Sequence, residues 1–169
     1  MKGKILGISY IICFSLISCK INYSFTGGNI DYTKIKTISI LYFPNNAPIV
    51  QSSLSQEFTE ALRDKFNNQT KLNLVSKNGD LNLEGSITGY STQPVAIQGN
   101  ETAALNRLTI TVSVKFTNSH DDKQNFEQTF SRYADFQSSQ NLSSVEDGLI
   151  KEINNALVED IFNKSVVNW

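Results

Sequence analysis

The sequence predicts an α+β domain: a two-layer sandwich in which a mostly antiparallel sheet of four to five strands carries two helices on one face, in the order β-α-β-β-β-β-α. Three observations lead there. Residues 107–116 alternate strictly between polar and apolar side chains, a period of two that only a half-buried strand satisfies. Two other stretches repeat their apolar residues at helical spacing, and several shorter runs between them read as strands closed by turn residues.

The elements follow in order. From Thr37, Ile38-Ser39-Ile40-Leu41-Tyr42-Phe43 reads as a strand with apolar residues on both faces, central in a sheet, and Pro44 ends it. Asn45 to Val50 form a turn, and Ser53 with Gln56 makes a capping box at the start of a helix. Leu54, Phe58, Ala61, Leu62 and Phe66 give that helix one buried stripe, while Gln56, Glu60, Arg63 and Asp64 face water. The crossover it makes is expected to be right-handed. Leu72, Leu74 and Val75 form a short strand, and Asn78-Gly79-Asp80 is a turn.

Leu81, Leu83, Gly85 and Ile87 then alternate with Asn82, Glu84, Ser86 and Thr88 in a half-buried strand. Pro94 and Gly99 suggest that residues 91–102 are a long connection. In the clearest strand, Leu108, Ile110, Val112, Val114 and Phe116 share one face, and Arg107, Thr109, Thr111, Ser113 and Lys115 the other. A polar tip around His120 closes a hairpin with a strand running from Phe126 through Phe130 toward Phe136. Ser143 and Glu146 form a second capping box, and Leu149, Ile150, Ile153, Ala156, Leu157 and Ile161 build the last helix.

The N-terminus carries chemistry of its own. Lys2 and Lys4 precede an apolar run from Ile5 to Ile17, and Leu16-Ile17-Ser18-Cys19 forms a lipobox. About twenty apolar residues are needed to cross a bilayer, so this run is too short for a span and reads as a signal peptide, residues 1–18. In bacterial lipoproteins such a box directs diacylglycerol onto the cysteine thiol and cleavage just before it. Cys19 is then the mature, lipid-bearing N-terminus. At about 0.8 kcal/mol per buried methylene, two or three acyl chains hold a protein at a membrane almost irreversibly. Residues 19–32 read as a tether, and residues 33–169 as a single domain.

Composition narrows the chemistry. Cys13 leaves with the leader and Cys19 is acylated, so neither of the two cysteines remains for a disulfide, a metal or redox work. The one histidine, His120, sits in the polar tip and reads as a solvated turn residue. No carboxylate pair is marked as an acid and base, and no glycine-rich phosphate loop is present, so the chain reads as a non-enzyme with no metal site and no cofactor beyond the lipid on Cys19. Without Lys2 and Lys4, thirteen basic side chains face sixteen acidic ones, which argues against nucleic acid as a partner.

The uncovered sheet face is the candidate working surface. The alternation assigns to it Asn82, Glu84, Ser86, Thr88 and Tyr90, then Arg107 to Lys115, then Glu127, Thr129, Ser131 and Tyr133. It is rich in hydroxyls and suits a polar partner. Arg107 and Lys115 are the basic residues expected on it, whereas the parity of Arg132 puts that residue with Phe126 and Phe130. A small ligand or peptide held on the open sheet is an alternative use of the face.

Several segments resemble the LPS-assembly lipoprotein family, LptE, in its Bacteroidota form. They are Tyr23-Ser24-Phe25-Thr26-Gly27-Gly28, the run from Gly79 to Tyr90, Asn106-Arg107-Leu108-Thr109-Ile110 and Glu159-Asp160-Ile161-Phe162-Asn163. The resemblance implies a sheet covered by two helices and a non-enzymatic role in lipopolysaccharide transport. It implies as partner an outer-membrane β-barrel, LptD, which such a protein plugs and helps to assemble. It also makes lipopolysaccharide a prospective ligand, whose phosphates would be met by Arg107 and Lys115. Lys20 stands where enteric lipoproteins kept at the inner membrane have aspartate, and residues 20–25 lack the acidic run of surface-exported lipoproteins. By analogy, the protein belongs on the periplasmic side of the outer membrane.

Overall fold

Residues 30–95 and 104–167 are described by a computed structural model of the chain. The leader, Cys19 and most of the expected tether lie outside these residues. The observed elements are β1 (Thr37–Ile40), α1 (Leu54–Gln69), β2 (Asn73–Val75), β3 (Leu81–Val95), β4 (Leu105–Asn118), β5 (Phe126–Gln137) and α2 (Leu142–Phe162), followed by a π-helical turn, Asn163–Val167. The strand order is β2-β1-β3-β4-β5. β1 is parallel to both its neighbours, and β3, β4 and β5 form an antiparallel meander. The fold is the expected α+β arrangement, with a mixed and mostly antiparallel sheet.

Both helices bury their apolar stripes on the same side. Leu54, Phe58, Leu62 and Phe66 of α1 and Ile150, Ile153, Leu157 and Ile161 of α2 meet Ile38, Leu83, Ile87, Leu108, Ile110, Val112 and Val114 of the sheet in one core. Burying a side chain of this size contributes about 1.5–3 kcal/mol. Edge-to-face ring pairs, Phe43 with Phe58 and Phe66 with Phe162, fix how the helices seat. Polar links cross the layers at the margins. Arg132 of β5 lies on the helix side, as its parity with Phe126 and Phe130 implied, and makes two bonds to Asp160 of α2, at 2.6 and 2.7 Å, with its side chain still half exposed. Lys65 of α1 pairs with Glu159 of α2.

Several local expectations are corrected. β1 stops at Ile40 because the chain leaves the ladder: Phe43 drops its ring into the core, its amide bonds the Thr59 hydroxyl, and Tyr42 is 57% exposed. The guanidinium of Arg63, expected to face water, donates to the Ile40 carbonyl at the end of that strand. Neither capping box forms. The Gln51 side chain accepts from the amides of Ser53 and Leu54 at the head of α1, and Asn141 caps α2 by accepting from the Ser143 amide. Glu146, released from capping, accepts the Tyr90 hydroxyl instead.

That last bond exposes the main error of parity. The β3–β4 register slips between Ile87 and Gly89, so Thr88 is a bulge and every later side chain of β3 changes face. Tyr90 therefore turns into the helix layer, 5% exposed, where burial and then the Glu146 carboxylate raise its pKa. β3 also continues to Val95, opposite Leu105, so residues 91–95 are strand rather than connection. Pro94 is tolerated because β1 pairs with β3 only at Leu81–Leu83, leaving the far half of β3 without a second strand neighbour among the described residues.

One carboxylate joins three parts of the chain at the near end of the sheet. Asp80 Oδ2 accepts from the amides of Lys36 and Thr37 and from the Thr37 hydroxyl at 2.8–2.9 Å, and Oδ1 lies 3.0 Å from His120 Nε2. The start of β1, the start of β3 and the β4–β5 tip are tied at this point. The Lys36 amide, then His120 and Thr37, hold the Asp80 carboxyl well below the usual carboxylate range. His120 is half exposed in the tip and acts here as a hydrogen-bond partner, consistent with a turn residue.

Two outcomes are expected. At Gly85, an added Cβ would lie 2.1 Å from the Ser113 carbonyl oxygen and 2.6 Å from the Phe43 ring, so Gly85→Ala is expected to cost about 3 kcal/mol, read as a lower urea midpoint at unchanged slope. Because folding lowers the Asp80 pKa, its stabilisation is complete above the unfolded value of about 3.9 and fades as pH falls through the lower native one. Asp80→Asn should therefore be less stable than the wild type by about 1 kcal/mol or more at neutral pH, with the gap closing in acid. A gap that does not change with pH would contradict this assignment.

Candidate functional site

The face of the sheet turned away from the helices is ordered in rows across β3, β4 and β5. From the Asp80 end outward they run Glu84–Lys115–Glu127, Ser86–Ser113–Thr129, Gly89–Thr111–Ser131, Ser91–Thr109–Tyr133 and Gln93–Arg107–Asp135. The middle rows are hydroxyls and a glycine, with the Thr111 and Ser131 hydroxyls 3.0 Å apart. Threonine and serine here meet strand propensity and polarity together. The charges sit in the two outer rows.

Arg107 and Lys115 both lie on this face, as expected, but neither is a free cation. The Arg107 guanidinium makes two parallel bonds to Asp135, at 2.7 and 2.8 Å, and stacks 3.5 Å from the centre of the Tyr133 ring. Lys115 Nζ is 2.8 Å from Glu84, with Glu127 opposite it on the other strand. These carboxylates raise the pKa of Arg107 and Lys115, and Arg107 lowers that of Asp135. The rows thus hold three carboxylates and two bases, paired so that little net field projects outward. Arg132 is on the other side, held by Asp160. Cys19, the expected lipid site, lies outside the described residues.

The arrangement offers hydroxyls and paired charges for binding. Arg107 with Asp135 and Lys115 with Glu84 are ion-paired at its margins, and among the described residues no cluster of His, Cys, Asp and Glu could hold a metal ion. None of the described helices is long and apolar enough to cross a membrane.

Comparison with known families decides what the body is. The model of the lipopolysaccharide-assembly family LptE matches residues 35–165, nearly the whole described domain. The chain belongs to the LptE family. LptE-family proteins are non-enzymatic lipoproteins of lipopolysaccharide assembly, associated with the outer membrane. A search of curated proteins finds no match to the sequence.

Solved structures resemble the chain at low identity. A hypothetical protein, CT253, from Chlamydia trachomatis is 10% identical with a TM-score of 0.50, covering 79% of this chain and 98% of its own. The rare lipoprotein B of Shewanella oneidensis is 14% identical with a TM-score of 0.49 and coverage of 75% and 92%. A minor lipoprotein of Acinetobacter baumannii is 16% identical with a TM-score of 0.46 and coverage of 77% and 91%. At 10% identity, the likeness to the Chlamydia trachomatis protein shows the fold alone.

Reading the sequence missed Ser91 and Gln93, because Pro94 looked like a break, and missed Asp135 as the partner of Arg107. The second was recoverable. Counting register outward from Phe116 opposite Phe126 puts Asp135 opposite Arg107. The pairing itself is testable by a double-mutant cycle on Arg107→Ala and Asp135→Ala, where a favourable coupling that weakens with added salt is expected. Additive effects would mean that the two bonds contribute nothing beyond their separate contacts.

Proposed function

We propose that this LptE-family protein is a lipid-anchored plug for the LptD-type β-barrel that inserts lipopolysaccharide into the outer leaflet, and that it helps that barrel to assemble. A porin-like lumen is polar and water-lined, so a body seated in it needs a rigid fold and a broad polar surface. The observation that carries the reading is the open sheet face: flat rows of hydroxyls, with its charges paired internally, on a family member built for lipopolysaccharide assembly. Such a face can hydrogen-bond a barrel wall along its hydroxyl rows, with both of its bases already paired and the one surplus carboxylate, Glu127, at its margin.

The rest of the molecule supports the same reading. The two helices keep the core on one side and leave the sheet free. Lipid on Cys19 would hold the protein at the periplasmic side of the outer membrane, where it meets the barrel. Arg107 and Lys115 are contact residues in this account, acting as halves of ion pairs rather than as bare cations. A broad wall contact fits the flat face better than the deep apolar pocket that a small periplasmic ligand would need.

Affinity purification of the full-length protein from detergent-solubilised outer membrane is expected to recover a large barrel in about equal amount. Depletion should lower both surface lipopolysaccharide and the mature, oxidised form of that barrel. Recovery of the protein alone, with both quantities normal, would overturn the proposal.

A further inference from the structure

The far end of the open face is built differently from its middle. There the rows Gln93–Arg107–Asp135 and Ser91–Thr109–Tyr133 lie side by side, a patch of about 10 Å by 7 Å from strand and residue spacing. Pro94 and Val95 bound a shallow depression beside Arg107 and Thr109. Tyr133 points away from the helices and is 54% exposed, one face of its ring covered by the Arg107 guanidinium. Two bonds to Asp135 fix that guanidinium in its plane.

We infer that this corner binds a sugar through its uncharged hydroxyl groups and ring face. The chemistry matches on three counts. An exposed aromatic ring offers an apolar surface to the C–H side of a pyranose. Beside it, the guanidinium N–H groups not bonded to Asp135, the remaining Asp135 lone pairs and the side chain of Gln93, opposite Arg107 on the next strand, supply donors and acceptors for hydroxyls. The patch also carries no surplus charge, because the Arg107 cation is compensated by Asp135. A phosphate would have to compete with that carboxylate for the same donors, and would meet its repulsion.

Preorganisation adds to the case. Arg107 and Tyr133 already hold each other, so binding a sugar orders few new torsions. The inference rests on the reading that this face works in lipopolysaccharide assembly, since that ligand is largely saccharide. It departs from the simpler idea that Arg107 recognises a phosphate group.

The test uses the full-length lipidated protein in detergent micelles. The probes are the deacylated oligosaccharide of the cell's own lipopolysaccharide, prepared with its phosphates intact and with them removed, and inorganic phosphate. Calorimetry or NMR shifts should show the dephosphorylated oligosaccharide binding in about the millimolar range or tighter, with little change on adding salt. Tyr133→Ala and Arg107→Lys should each weaken it by about ten-fold without a matching fall in melting temperature, and Tyr133→Phe should retain binding.

Binding confined to the phosphorylated form or to inorganic phosphate and abolished by salt would overturn the inference. So would the absence of binding by either oligosaccharide, or losses that simply follow thermal stability. Barrel recovery by the wild-type protein is scored in parallel and reports on the plug alone, so the two proposals can fail separately.

Discussion

Both helices lie on one side of a five-stranded sheet, and nearly everything else about the molecule depends on that one-sided burial. A sheet in water needs one face covered to be stable, and a second cover would require more apolar residues than its strands carry. β4 states the constraint in its sequence: Leu108, Ile110, Val112, Val114 and Phe116 go to the core, and Thr109, Thr111 and Ser113 do not. The uncovered face is therefore polar by construction and remains available to a partner. No cavity or catalytic cluster is needed to give the protein a surface on which to act.

Such a face works only if its register is fixed, because a slip of one residue would exchange core and surface along a strand. Two devices hold it. At the near end, Asp80 gathers the start of β1, the start of β3 and the β4–β5 tip around one carboxylate. Farther along β3, the Thr88 bulge re-aims the strand so that Tyr90 joins the helix layer while Ser91 and Gln93 join the open rows. The bulge also brings Gln93 level with the Arg107–Asp135 pair, without which the far corner would hold only an ion pair and a ring.

The parts of this architecture written in side-chain periodicity were legible in the sequence. The two helices, β4, the β4–β5 hairpin and the uncovered face follow from apolar spacing, and Arg107 and Lys115 fall where alternation puts them. What periodicity does not encode is a change of phase. The one local sign of a bulge in Ile87-Thr88-Gly89-Tyr90 is the glycine, which alternation does not weigh, so parity puts Tyr90 on the wrong face and Pro94 hides the extension of β3. Caps failed for a related reason, since Ser53 and Ser143 have the right neighbours, yet Gln51 and Asn141 are the side chains that reach the amides. Charge state was hidden as well. Arg107 and Lys115 look like free cations until cross-strand register brings Asp135 and Glu84 to them.

The central claim is that the polar sheet face, and not the helix layer, is the contact surface. Photo-crosslinking in intact cells tests it most directly, with a photoreactive residue placed at Ser113 or Thr129 on the sheet and, in separate strains, at Gln56 or Glu152 on the outer sides of the helices. Adducts with a large outer-membrane barrel from the two sheet positions, stronger than any from the helix positions, are what this account predicts. Adducts from Gln56 and Glu152 with none from Ser113 and Thr129 would contradict it.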